Sequence, residues 1–203
     1  MRKLFPAIII ATLLSFMACG GVLWSGSDFT TKEGFDKNME MFKTAMADKD
    51  PNVYSISFMG EEATSSQLTI LRLTGYDPAG SGKDYNYTFV PGGEGNKSVD
   101  EDLGLIASRS AKKPEIKFSE INYDKFHEVI QKAISMVPEE VNFKNVYTAK
   151  MTVNPDPAKY EYDIEIHATP KTGATEFQGR SIVTNYYELD FEADGAGNVT
   201  LKK

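Results

Sequence analysis

The sequence predicts an α+β protein built from two tandem helix-plus-antiparallel-sheet units, each a helix followed by three or four strands, with the helices packed on one sheet face. Three observations carry this. Apolar residues recur at helical spacing in two separate stretches, Phe35, Met39, Phe42 and Met46, then Phe126, Ile130, Ala133 and Val137. Each stretch is followed by segments that alternate apolar and polar residues with the period of a strand. Short identities then return in the same order: Asn52-Val53-Tyr54-Ser55 matches Asn145-Val146-Tyr147-Thr148, and Tyr85, Phe89, Gly93, Gly95 and Asn96 match Tyr187, Phe191, Gly195, Gly197 and Asn198. The resulting division is a leader over residues 1–18, a tether over 19–31, a first unit over 32–98, a connector over 99–119 and a second unit over 120–203.

The leader begins with Arg2 and Lys3, continues through an apolar run from Leu4 to Met17 that Pro6 interrupts, and ends on Ala18 and the chain's single cysteine, Cys19. A positive start, a short apolar stretch and a small residue before the cut are what a secretory signal requires, and the run is too short for a comfortable membrane span. The residues Phe16, Met17, Ala18 and Cys19 resemble the lipobox of bacterial lipoproteins. The resemblance implies cleavage before Cys19, a diacylglyceryl group on its sulfur, and export to the bacterial cell envelope with the membrane as a partner through lipid. An ordinary cleaved signal and an uncleaved anchor are the alternatives. One cysteine permits no internal disulfide, so a core must hold the mature part together, and about 180 residues suffice. Residues 20–31, rich in Gly, Ser, Thr and Asp around Trp24, read as a flexible tether.

The first helix is expected to start at a capping box formed by Thr30 and Glu33 and to end before Asp50-Pro51. Strands follow, with Tyr54, Ile56 and Phe58 on one face and Tyr85, Tyr87 and Phe89 on one face of another. Between them Leu68 and Ile70 point opposite to Leu71 and Leu73, which calls for a bulge near Leu71. Residues 75–83 read as a loop and 91–95 as a turn. In the second unit Asn122 caps a helix over residues 123–137, stopped by Pro138. Tyr147, Ala149, Met151 and Val153 then share a face, as do Tyr160, Tyr162, Ile164 and Ile166, and Val183, Tyr187, Leu189 and Phe191. A turn over residues 194–198 leads to a last strand.

The ending from Tyr187 to Gly195, closed by Asn198-Val199, resembles the last hairpin of PepSY-like and beta-lactamase-inhibitor-protein-like domains. Those are small helix-plus-sheet modules of exported bacterial proteins, frequently duplicated. The resemblance implies a binder or inhibitor and carries over no functional residue.

If Tyr160, Tyr162, Ile164 and Ile166 face the core, Glu161, Asp163, Glu165 and His167 face away, and Glu188, Asp190 and Glu192 do the same beside Tyr186. No lysine interrupts these outward positions. Three readings stand: a solvated sheet face, a surface that meets a basic protein or peptide, and a divalent-metal site built on Glu165 and His167 with Asp190 or Glu188. The chain carries 22 basic and 29 acidic side chains, a net formal charge of −7, or −9 once Arg2 and Lys3 are removed. That balance excludes nucleic acid as the expected partner.

Catalytic motifs fail on inspection. Gly92, Gly93, Gly95, Lys97 and Ser98 suggest a phosphate loop, but Asn96 and Pro91 stand where the motif needs glycine. Gly-x-Ser-x-Gly is absent, and His127 reads as a partly buried helix residue. Asn86, Asn96 and Asn198 begin glycosylation triplets that a bacterial lipid anchor makes incidental. No catalytic residue, resident metal or cofactor is therefore assigned. The expected function is non-enzymatic binding of a protein, peptide or surface ligand, and the alternative is an envelope enzyme or divalent-metal-binding protein using the carboxylate and histidine face.

Overall fold

The two amphipathic stretches form helices because each has a polar side chain positioned to close its first turn. In α1 (Lys32–Ala45) the Thr31 hydroxyl accepts from the Gly34 amide at 3.1 Å. The expected Thr30 cap is thus displaced by one residue, since Thr30 instead donates its hydroxyl to Asp28 Oδ1 at 2.6 Å. In α2 (Tyr123–Ser135) Asn122 Oδ1 accepts from the Lys125 amide at 3.0 Å, as its position predicts, although the helix stops two residues before Val137. Gly34 is required in α1 because a Cβ there would lie 2.0 Å from the Asp28 carbonyl oxygen.

The strands are β1 (Asn52–Glu61), β2 (Ser65–Tyr76), β3 (Asp84–Phe89), β4 (Glu101–Asp102), β5 (Val141–Asn154), β6 (Lys159–Pro170), β7 (Thr175–Gln178), β8 (Ser181–Thr184), β9 (Tyr187–Ala193) and β10 (Val199–Leu201). The computed structural model describes residues 26–46, 49–61, 65–77, 84–91, 101–102, 113–155, 159–172, 175–178, 181–184 and 186–202. The leader with Cys19, Trp24 and the glycine-rich segment 92–98 lie outside the described residues.

Eight strands form one antiparallel sheet in the order β10-β9-β6-β5-β1-β2-β3-β4, and β7 and β8 form a separate hairpin. The chain is α+β. From the central β5–β1 pair, each half of the sheet is laid down outward in sequence order, β2 then β3 on one side, β6 then β9 on the other. A 3-10 turn, Phe118–Glu120, precedes α2.

Both helices cover the same sheet face. Phe58 on β1 is the meeting point: Phe35 of α1 stacks on it at 5.0 Å between centroids, Phe126 of α2 meets it edge-on at 5.6 Å, and Phe29 approaches to 5.6 Å. These rings, with Leu71, Leu73, Phe89, Ile164, Ile166 and Phe191, belong to one buried cluster that runs through both halves. Removing aromatic and branched surface from water in one continuous core is the main force holding the sheet to its helices.

Several local expectations are corrected here. Residues 26–29 are not tether: Gly26 and Ser27 exchange hydrogen bonds with Leu68, and Phe29 is fully buried. In β2 Leu68, Leu71 and Leu73 are all buried, which breaks the alternation. The β1–β2 ladder is regular from Ile70 to Thr74, and its irregularity falls between Ser65 and Ile70, adjoining the region near Leu71 where the sequence calls for a bulge. β2 continues through Gly75 and Tyr76 rather than looping at Gly75.

Tyr54 and Tyr147 do not join their neighbours on the core face. Each ladder skips at these residues, between Val53 and Ser55 and between Val146 and Thr148, so Val53 and Val146 enter the core and the tyrosines turn outward. The expected strand joining Val183 to Tyr187 is divided between β8 and β9, and Tyr187, expected in the core, is 51% exposed at the end of β9.

Candidate functional site: the open sheet face

The face opposite the helices is built by strand alternation. Burial of Tyr162, Ile164, Ile166 and Phe191 turns Glu161, Asp163, Glu165 and His167 on β6, and Glu188, Asp190 and Glu192 on β9, to the other side. The register then sets Asp163 opposite Glu192, Glu165 opposite Asp190 and His167 opposite Glu188. All seven predicted site residues lie on two neighbouring strands, six of them in cross-strand pairs. One row continues across seven strands as Thr200, Glu192, Asp163, Lys150, Ser57, Arg72 and Thr88. Charge along it passes from acidic at β9 and β6 to basic at Lys150 and Arg72.

Like charges directly opposite one another repel, and cations from outside β6 and β9 relieve this. Lys202, just past β10, places Nζ 2.6 Å from Asp163 Oδ1 and 4.0 Å from Glu192 Oε2. The hydrogen bond to Asp163 raises the lysine's pKa against the opposing effect of desolvation, with the charges of Asp163, Glu192 and Asp190 adding to the rise. Lys150 on β5 pairs in register with Asp163. The acidic face thus carries more compensation than the outward positions of β6 and β9 suggest. Beside it, Glu161, Asp163, Glu192, Asp194, Asn198 and Thr200 help line a depression of about 370 Å³. A larger hollow, about 740 Å³, lies between α1 and the start of α2 on the helical side, away from these carboxylates.

The main departure from expectation is His167. It lies at an outward position, yet it is only 1% exposed, because Tyr147 stacks on its ring at 4.8 Å and Tyr186 covers it at 4.6 Å. Its Nε2 is 3.2 Å from Glu165 Oε1. The other Glu165 oxygen lies 3.5 Å from the Thr148 hydroxyl, which donates to it. Glu188 is close enough that one ligand atom from each of Glu165, His167 and Glu188 falls within 4.8 Å of the others. Asp190, the alternative third group, is not part of that cluster. Sequence reasoning missed the Tyr147 clamp because it placed Tyr147 on the core face, although Tyr186 was already outward.

A second polar nest, also missed, sits in the first half. Asp84 is 2% exposed, and its Oδ1 accepts from the Tyr54 hydroxyl at 2.7 Å and from Lys113 Nζ at 3.2 Å. Lys113 also lies 4.7 Å over the Tyr76 ring, whose hydroxyl accepts from Asn52 Nδ2 at 2.9 Å and donates to the Pro114 carbonyl at 2.9 Å. Burial first, and then the bond to Asp84, push the Tyr54 phenol well above its usual pKa. His127, by contrast, behaves as a helix residue held in place: its Nε2 donates to the Thr30 carbonyl at 3.1 Å and its ring leans on Phe35.

Among the described residues no helix is long and apolar enough to cross a membrane. No family model matches the chain, and no curated protein or solved structure gives a significant match.

Proposed function

We propose that this protein is exported, tethered by lipid on Cys19, and binds a basic protein or peptide at the cell envelope through the sheet face opposite its helices without catalysing a reaction. The observation that carries the binding reading is the one-sided sheet: two helices cover one face, and the other presents paired carboxylates from Asp163 to Glu192 and from Glu165 to Asp190. An enzyme using the same groups would gather them in a cleft, whereas here most are strung along an open surface. Complementary charge speeds encounter and fixes orientation, and its effect fades over a Debye length of about 8–10 Å at ordinary salt. The test is to reverse Asp163, Asp190 and Glu192 to lysine together and measure folding, capture of envelope proteins and the salt dependence of capture. Salt-sensitive capture lost in the reversed protein supports the reading; undiminished capture by a folded variant overturns it.

The lipid part rests on the leader and its Ala18-Cys19 ending. Cys19 precedes the first described residue, Gly26, by seven positions, so an anchored chain would hold the domain within roughly 25 Å of the bilayer surface. Cys19→Ser should abolish labelling by a fatty-acid analogue and release the protein from membranes. Continued labelling of the variant would end the lipid assignment.

We also infer that the halves are copies of one unit of the kind suggested by the PepSY-like and beta-lactamase-inhibitor-protein-like resemblance. Asn52-Val53-Tyr54 and Asn145-Val146-Tyr147 are 93 residues apart, and both tyrosines mark a bulge. The middle pair of the β1–β5 ladder, Ser57 and Lys150, has the same separation, which supports a local two-fold axis there. Following the ladders outward matches Tyr76 with His167 and Asp84 with Glu188. It also matches Tyr87 rather than Phe89 with Phe191, two residues away from the alignment suggested by sequence identities. A crystal structure in which Tyr54 and Tyr147 did not superpose under that operation would overturn the inference.

A further inference from the structure

We propose that Glu165, His167 and Glu188 form a binding site for a divalent transition-metal ion of the Zn²⁺ class. The inference stands apart from the partner reading, because it needs only these three side chains and their supports. His167 supplies a nitrogen whose ring is held between Tyr147 and Tyr186, so little orientational freedom is lost when it ligates. The 3.2 Å between His167 Nε2 and Glu165 Oε1 matches the separation of two ligands each about 2.0–2.2 Å from one ion. Glu188, exposed on the neighbouring strand, can bring a carboxylate oxygen to the same point by a side-chain rotation within the 4.8 Å that bounds the cluster. One imidazole and two carboxylates suit zinc or a similar transition ion better than calcium, which takes six to eight oxygens. A three-residue set leaves a coordination position for water or for a group from a bound molecule.

An independent observation points to a cation at this place. Across the first half the row Asn52, Tyr76, Asp84 has the same ladder positions as Asn145, His167, Glu188 in the second. In that first row a cation is already seated: the Lys113 ammonium lies against Asp84 and over the Tyr76 ring. In the second row, among the described residues, neither Glu165 nor Glu188 is ion-paired to a lysine or arginine, since Lys202 serves Asp163 and Glu192 instead. The two carboxylates beside the buried imidazole thus have no lysine or arginine seated where the matching nest holds Lys113, and a metal ion fits that place.

The experiment uses the full-length protein after chelator treatment, titrated with zinc chloride alone by calorimetry and followed by thermal unfolding. One equivalent should bind saturably and raise Tm. Glu188→Gln, at an exposed position, should fold normally, weaken zinc at least tenfold and lose the Tm shift, and Glu165→Gln should do likewise. Asp163→Asn with Glu192→Gln should retain the affinity, which separates this site from adsorption along the acidic row and keeps the outcome distinct from partner capture. Absence of saturable binding in the parent, equal affinity in Glu188→Gln and Glu165→Gln, or equal loss in the Asp163 and Glu192 pair would each overturn the proposal.

Discussion

Tyr147 lies nearly flat on His167, with the ring planes 19° apart and the centroids separated by 4.8 Å. The relationship follows from one skipped ladder position in β5, which turns Tyr147 out of the core and over a histidine that strand alternation alone would leave in water. Tyr54 does the same over Tyr76 in the first half, at 5.5 Å and 35°. Stacked aromatic pairs contribute about 0.5–1.5 kcal/mol beyond the area they bury.

Replacing Tyr147 with alanine should therefore do more than remove a half-buried ring. It opens one side of His167 and loses the stack, so urea unfolding should report a loss of about 1–3 kcal/mol. Reactivity of His167 toward an imidazole-modifying reagent should rise at the same time. A variant with parental stability and a still-protected histidine would mean that Tyr186 alone covers the ring.

The Asp84 nest gives a sharper electrostatic expectation. Asp84 is buried to a side-chain exposure of 1%, and its second oxygen has no hydrogen-bond partner among the described residues, so Lys113 and Tyr54 bear its satisfaction. Lys113→Met should destabilise by about 1–3 kcal/mol, because it strands a buried carboxylate that has lost its cation. Adding Asp84→Asn should return part of that loss. A double variant no more stable than Lys113→Met would show that the lysine acts through its packing over Tyr76 instead.

The fold class was legible because helical and strand periods are long, repeated signals that tertiary contacts reinforce: Phe35, Phe42, Phe126 and Ile130 are all fully buried. The seven outward residues were legible for the same reason, since a period of two fixes a face wherever the opposite face is apolar. Their environment was not. One extra residue in a ladder reverses a side chain without changing composition, which is why Tyr54 and Tyr147 were assigned to the core and the cover over His167 was missed. Lys202 and Lys113 reach their carboxylates from outside the strands they neutralise, across sequence separations of 39 and 29 residues that no local pattern records.

Phe58 links both helices to the central strand, so its removal tests whether the halves share one core. Phe58→Ala should cost about 3–5 kcal/mol, the range for deleting a fully buried aromatic ring. Because Phe35 and Phe126 both lose their partner, fluorescence and far-ultraviolet circular dichroism should still report a single coincident transition. Two separated transitions in the parent protein would mean that the halves unfold independently.

Buried phenols make stability fall in alkali. Burial first, and the neighbouring Tyr160 second, push the Tyr162 phenol up to about 12 from 10.0, and burial raises Tyr123 and Tyr54 further. The unfolded chain releases these protons first, so the stabilising contribution is fully present below pH 10 and is lost as pH climbs from there toward 12. Tyr162→Phe has no phenol to ionise in either state. Its stability relative to the parent should therefore improve between pH 7 and pH 11, by up to about 1 kcal/mol after allowing for solvent screening. Denaturant midpoints at the two pH values measure this directly. If the parent and Tyr162→Phe lose stability in parallel from pH 7 to pH 11, ionisation of Tyr162 is not what limits the fold in alkali, and Tyr123 or Tyr54 becomes the phenol to replace.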